Sequence, residues 1–257
     1  MSKEKIDICT SICLSHKINR EGDMLIYIVE TSDRRYWYLK EFLNGSYECE
    51  YSNTLPKNNV EIIVLPLDGV DEFGYIKHTN LKLDSLIKNN KIKKIYTGVV
   101  NNYLSRFGKI NNIVIISFYD DVIYCKNEFL IKIDVIKTFL EEKLNTRFSD
   151  IKTLVIGNDY RSYVLSEKLN LDIYDKGSLA SKSLKNVLWS NYDVIINFSS
   201  FDLEKCDEKI IIEMNEIQDL DLSILLNCKK IYFINQLMWH YLTKSGGKIM
   251  YDSMVNR

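Results

Sequence analysis

The chain predicts an α/β fold: two open parallel sheets covered by helices and joined by one long linking helix. Three observations carry this. Short apolar runs such as VEIIVLPL and NIVIISFY alternate with amphipathic stretches of helical length. The alternation runs through once, stops at a long amphipathic segment without Gly or Pro (Asn127–Phe148), then runs through again. The apolar runs are continuous, as strands buried on both faces require.

The elements follow in order. MLIYIVE (Met24–Glu30) is a buried strand. SDRRYWYLKEFLNG is a helix with Ser32 or Asp33 as its cap, Trp37 and Phe42 on its apolar face and Gly45 at its end. YECEYS is a short alternating strand, VEIIVLPL (Val60–Leu67) a fully covered one, and NLKLDSLIKNN an amphipathic helix. KKIYTGVV, NNYLSRFG and NIVIISFY then give strand, short helix and strand. After the linking helix come strand KTLVIG, helix YRSYVLSEKLN, strand LDIYD, helix SLASKSLKNVLWS, strand YDVIINFSS, strand EKIIIEM, helix DLSILLNCKK and strand KIYFIN. A last helix begins near Met238. Pro56 and Pro66 lie outside every predicted helix, as proline requires. The expected organisation is an N-terminal extension over 1–23, a first unit over 24–126, the linking helix over 127–148 and a second unit over 149–257.

Composition narrows the function. Lys plus Arg number 34 against 35 Asp plus Glu, a net charge of -1, so nothing supplies the clustered cations that nucleic acid needs. No apolar run approaches the ~18 residues of a membrane span. Polar residues break up the first 23 positions, which read poorly as a signal peptide. Six scattered Cys suit reduced thiols and a cytoplasmic location. Cys9, Cys13 and His16 stand close together but lack a fourth ligand and a recognised zinc spacing, so a packed extension is the preferred reading.

The stretch TLVIGNDYRSYVLSEKLNLDIYD (Thr153–Asp175) has the layout of a dinucleotide-binding unit. Gly157 holds the first position of a G-x-G-x-x-G fingerprint, where a tight turn is needed. Asp159 replaces the second glycine, where a pyrophosphate needs close neutral backbone, and Ser162 replaces the third. Asp175 lies at the distance of the acid that holds a ribose hydroxyl, whereas Lys176 suits a 2′-phosphate. The helix N-terminus still offers N–H groups to an anion. Asp159 is equally suited to cap that helix and occupy those donors itself, and this is the favoured reading. Candidate cofactor residues are therefore Gly157, Asn158, Asp159, Tyr160, Arg161, Asp175, Lys176 and Asn197. Arg34 and Arg35 at the first strand–helix turn suit either a bidentate grip on a ligand carboxylate or a solvated helix start. His78 has no evident carboxylate partner, and His240 reads as a helix-start residue packed by Trp239.

Several strings together resemble the A chain of dipicolinate synthase: IYIVETSDRRYWYLKEFL, IIVLPLDG, YTGVVNNYL, YDDVIYCKNEF, TLVIGNDYRS and YDVIINFSS, in order over about residues 24–257. The resemblance implies two Rossmann-like domains with NADP or NAD bound to the second. It implies a diacid ligand and a flavoprotein partner, the pair forming dipicolinate from a dihydrodipicolinate precursor during sporulation. Carried onto this sequence, the retained positions are Leu65, Pro66, Thr97, Gly98, Asn101, Gly157 and Asn197. Of these, Pro66, Thr97, Gly98 and Asn101 would face the substrate, and Asn197 the nicotinamide. The departures are as prominent. Two fingerprint glycines are missing, the family's lead-in to the linking helix is replaced around Phe129–Ile133, and its later loops have become NEIQD (Asn215–Asp219) and NQLMWHY. Two function classes follow. One is a divergent dipicolinate synthase-like oxidoreductase. The other is a binding or scaffold protein that keeps the shape and has no cofactor. Self-association is a further expectation.

Overall fold

The structure is a computed structural model that describes residues 25–56, 59–88, 90–174, 189–199, 209–215 and 230–256. The expectations for residues 1–23, Asp175, Lys176, and the helices SLASKSLKNVLWS and DLSILLNCKK lie outside this described part or mostly so.

Two five-stranded parallel sheets form, as expected. The first contains β1 (Leu25–Val29), β2 (Glu48–Ser52), β3 (Val60–Val64), β4 (Lys94–Thr97) and β5 (Val114–Ser117), in the order β2-β1-β3-β4-β5. The second contains β6 (Thr153–Ile156), β7 (Asp172–Tyr174), β8 (Val194–Asn197), β9 (Ile210–Glu213) and β10 (Ile231–Phe233), in the order β10-β9-β8-β6-β7. The orders are equivalent: in each sheet the first strand in sequence lies between the second and the third. The topological switch therefore falls between β1 and β3 in one sheet and between β6 and β8 in the other, and crevices open at the carboxyl ends of such pairs. Central strands such as LIYIV and TLVI are buried at every residue, which explains why they are apolar but for Thr153.

Around the first sheet lie α1 (Arg35–Leu43), α2 (Leu83–Ile87) and α3 (Asn102–Asn111). The linking helix α4 spans Val122–Leu144 rather than the expected 127–148. Asp121 explains the early start, because its carboxylate accepts the N–H groups of Ile123 and Tyr124. Asn145 explains the early end, since it takes the left-handed conformation (φ 49°) that terminates a helix. Ile131, Val135, Ile136, Phe139 and Leu140 of α4 pack into the second core with Val155, Leu165 of α5 (Tyr160–Leu169), Ile196 and Ile212. Each such side chain contributes roughly 1.5–3 kcal/mol when fully buried.

The final helix begins at Thr243 rather than near Met238. A short α6 (Ile234–Leu237) follows β10, Leu242 turns the chain at φ 49°, and α7 (Thr243–Val255) begins. Helix α7 returns to the first unit and crosses α1, where Met250 and Met254 join Ile26, Ile28, Tyr36 and Leu39. The Gly246–Gly247 pair permits the crossing. A Cβ on Gly247 would lie 2.7 Å from the Arg35 carbonyl oxygen and 2.7 Å from Tyr38 Cβ. The chain thus passes between the two units twice, through α4 and through the segment leading to α7.

Candidate functional site

The turn after β6 is closed upon itself. Asp159 is the N-cap of α5, with Oδ1 accepting the Ser162 N–H at 2.8 Å. Its Oδ2 is gripped by Arg161, at 2.8 Å from Nε and 2.7 Å from a terminal nitrogen. Partial burial works against the Asp159 charge, but the Ser162 N–H and Arg161 outweigh it and hold the carboxyl below its ordinary range. A permanent negative charge therefore stands at the helix N-terminus where a phosphate would seek N–H groups. Gly157 serves close packing: a Cβ there would come within 2.8 Å of Phe198 Cβ and of Ser162 Cβ. Asn158 and Tyr160 are exposed, and the Arg161 guanidinium lies 5.8 Å from the centre of the Phe198 ring.

Asn197 is fully buried at the end of β8 and faces its register partner Glu213 at the end of β9. Asn197 Nδ2 donates to Glu213 Oε2 at 2.7 Å and to the Ser199 carbonyl at 2.7 Å. Glu213 Oε1 accepts the Asn215 N–H at 2.9 Å. Burial raises the Glu213 pKa, opposed by the N–H of Asn215 and the amide of Asn197. Sequence reasoning missed Glu213. Its signal is an acid ending an otherwise apolar strand, IIIE.

In the first unit, Thr97, Gly98 and Asn101 shape a turn. Thr97 Oγ1 donates to the Pro66 carbonyl at 3.0 Å. Gly98 admits the Leu67 carbonyl so closely that a Cβ would lie 2.4 Å from it. Asn101 caps α3 through Oδ1 to the Leu104 N–H at 3.0 Å, and its Nδ2 donates to the Val70 carbonyl at 2.8 Å. Together they fasten the segment after β3 to the end of β4. That fixes Pro66, Leu67 and Asp68 at the rim of a cavity.

This cavity, about 500 Å³, opens between the units at the β1/β3 switch point. The first unit lines it with Asp33, Arg35, Tyr36, Asp68, His78 and Tyr119; Glu128 comes from α4, and Asn215, Phe233, Gln236 and Trp239 come from the second unit. Of the candidate cofactor and substrate positions, Pro66 alone lines it among the described ones, together with Arg35, which the sequence offers as a grip on a ligand carboxylate.

Arg35 grips a carboxylate of its own chain. Its Nε lies 3.0 and 2.8 Å from the two Asp33 oxygens, a terminal nitrogen lies 2.6 Å from Oδ2, and Glu128 Oε1 is 3.5 Å away. All three side chains are buried. Burial disfavours the Arg35 charge, yet Asp33 outweighs it and holds the guanidinium above its ordinary pKa. Arg34 is exposed. His78 does have a carboxylate partner: its Nε2 lies 2.6 Å from Asp68 Oδ2. Gly69 and Gly74, both at positive φ, turn the loop that brings the two together. The His78 ring meets Trp239 edge-on at 5.8 Å, so the pair touches the opposite unit. His240 is exposed. Among the described residues no group of His, Cys, Asp or Glu is arranged to hold a metal ion, and no helix is long and apolar enough to cross a membrane.

No family model and no curated protein matches the chain. Solved structures do. The A chain of dipicolinate synthase from Bacillus halodurans is similar over 91% of this chain and 97% of its own, with a TM-score of 0.64 at 14% identity. The A chain of dipicolinate synthase from Bacillus subtilis is similar over 91% and 95%, with a TM-score of 0.58 at 13% identity. D-lactate dehydrogenase from Escherichia coli covers 91% and 95%, with a TM-score of 0.54 at 14% identity. The chain therefore shares the two-unit Rossmann-like fold of these proteins.

Proposed function

We propose that this protein binds a small polar ligand in the cleft between its units, and that its dinucleotide turn has become a structural turn. The fold is that of dehydrogenase-like proteins, but fold alone does not carry activity. The observation that carries the reading is Asp159: a charged cap, held by Arg161, occupies the α5 N-terminus. The cleft remains, with polar groups converging at the β1/β3 switch point as a ligand site requires. A thermal-shift experiment tests it. A cleft ligand at ~100 times its Kd stabilises by about 2.7 kcal/mol and raises Tm, whereas millimolar NADPH or NADH leaves Tm unchanged. An equal rise with NADPH overturns the reading.

A second reading has one observation in its favour. Asn197 and Glu213 lie buried together at the carboxyl ends of β8 and β9, beside the Gly157 turn. In that reading the protein is a divergent dipicolinate synthase-like NAD(P)-dependent oxidoreductase of the sporulating cytoplasm, acting on dihydrodipicolinate with a flavoprotein partner. Turnover of dihydrodipicolinate with NADPH by the purified protein, lost in Asn197→Ala, would establish it; absence of turnover with and without a flavoprotein partner would remove it.

A further inference from the structure

The charge of the cleft bears on what it holds. Three carboxylates, Asp33, Asp68 and Glu128, line it against one guanidinium, Arg35. Arg35 is committed to Asp33 in a two-pronged pair and faces Glu128 as well. The remaining basic group of the lining, His78, is paired with Asp68. Lys132 lies against Glu128 at 3.5 Å and does not line the cavity. A dicarboxylate entering the cleft therefore meets no uncommitted cation among the described lining residues, where three carboxylates, each paired, stand against one guanidinium.

The same space has aromatic walls. Tyr36, Tyr119, Phe233 and Trp239 line it, and His78 meets both Asp68 and Trp239. Aromatic faces beside carboxylates attract a cation, most strongly where water is excluded. Beside the lining residues, though not among them, lies one more polar group. The Tyr124 hydroxyl is fully buried without a hydrogen-bond partner, and Glu128, Arg35, Tyr119 and Tyr36 are the groups that act on it electrostatically. Its ring lies 6.2 Å from that of Tyr119. Negative charge and aromatic surface thus converge on one cavity.

We propose that the cleft is a binding site for a small organic cation, held between the Asp68 and Glu128 carboxylates and stacked against Trp239. This assignment rests on the cleft being the working site, and it names the class of ligand. The sign is opposite to that of the diacid implied by the sequence resemblance.

Isothermal titration of the full chain with putrescine, and with malonate at matched ionic strength, tests it. Putrescine should bind saturably, and malonate should give no saturable heat. Asp68→Asn and Trp239→Leu should each weaken putrescine by about five-fold or more, the factor for one charge or cation–aromatic contact. Asp68 is half exposed, so its variant keeps the test valid if Trp239→Leu folds poorly. Absence of putrescine binding, or binding unchanged in Asp68→Asn, overturns the proposal. Malonate binding that Trp239→Leu abolishes also overturns it, but keeps the cleft as the working site. Saturable NADPH binding speaks instead against the closed turn, so the two failures are distinguishable.

Discussion

Replacing Asp33 by Asn removes the main counter-charge of Arg35 while leaving its shape. The guanidinium then keeps Glu128 alone, at 3.5 Å and without the two-pronged geometry. Arg35 and Asp33 side chains are 5% and 8% exposed, so water does not replace the lost partner. Removing one member of a buried pair costs roughly 3–5 kcal/mol, and the remaining attraction to Glu128 offsets part of it. We expect a loss of about 2–3 kcal/mol. With a urea slope of about 2–3 kcal/mol per molar, the unfolding midpoint falls by about 1 M. Arg35→Met should cost a similar amount, because it leaves the Asp33 and Glu128 carboxylates buried without their guanidinium. The double variant should lose less than the two losses added, by about 1–3 kcal/mol, because both changes break one network. Urea unfolding followed by circular dichroism measures all three. A midpoint shift under about 0.2 M for Asp33→Asn, or strict additivity in the double variant, would show that the pair is solvated and refute the reasoning.

Further expectations follow from single contacts. Asn101→Ala removes the α3 cap and the tether to Val70, and should cost about 1–2 kcal/mol by urea unfolding. Gly247→Ala places a methyl 2.7 Å from the Arg35 carbonyl and should cost about 1–3 kcal/mol, seen as a Tm several degrees lower. Glu213 has a pKa raised by burial above its ordinary 4.5, so the folded state binds that proton more tightly than the unfolded chain does. Its contribution is therefore present below pH ~4.5 and is lost as pH rises through the raised value. Glu213→Gln should flatten the stability–pH slope in that window. An unchanged slope would show that Glu213 titrates normally.

The strands were legible because burial on both faces writes itself as an unbroken apolar run, as in LIYIV. The repeat of the alternation on either side of α4 gave the two sheets. Other features depend on where the chain returns, which no local pattern records. Helix α7 crosses α1 at Gly246–Gly247, yet in sequence that pair reads as a helix breaker. Asp68 and His78 meet through two left-handed glycines in an irregular loop. Thr97 and Asn101 are small polar residues at strand and helix ends, where a ligand contact and a bond to a neighbouring carbonyl look alike in sequence. Arg35 reads in sequence as either a grip on a ligand carboxylate or a solvated helix start, and no local pattern shows that it is buried against a carboxylate two residues earlier. The capping role of Asp159 was readable, because an acid one residue before a helical pattern is a strong local signal.

The most direct test of the closed turn is calorimetric titration of NADPH and NADH into the wild-type protein and Asp159→Gly. One unit charge about 4 Å from a phosphate costs about 1 kcal/mol in water and about 4 at an effective dielectric constant of 20. The half-exposed Asp159 lies toward the lower figure, about ten-fold in affinity. No saturable heat up to millimolar nucleotide in the wild type, with binding recovered in Asp159→Gly, is the predicted result. Micromolar NADPH binding by the wild type would contradict the account.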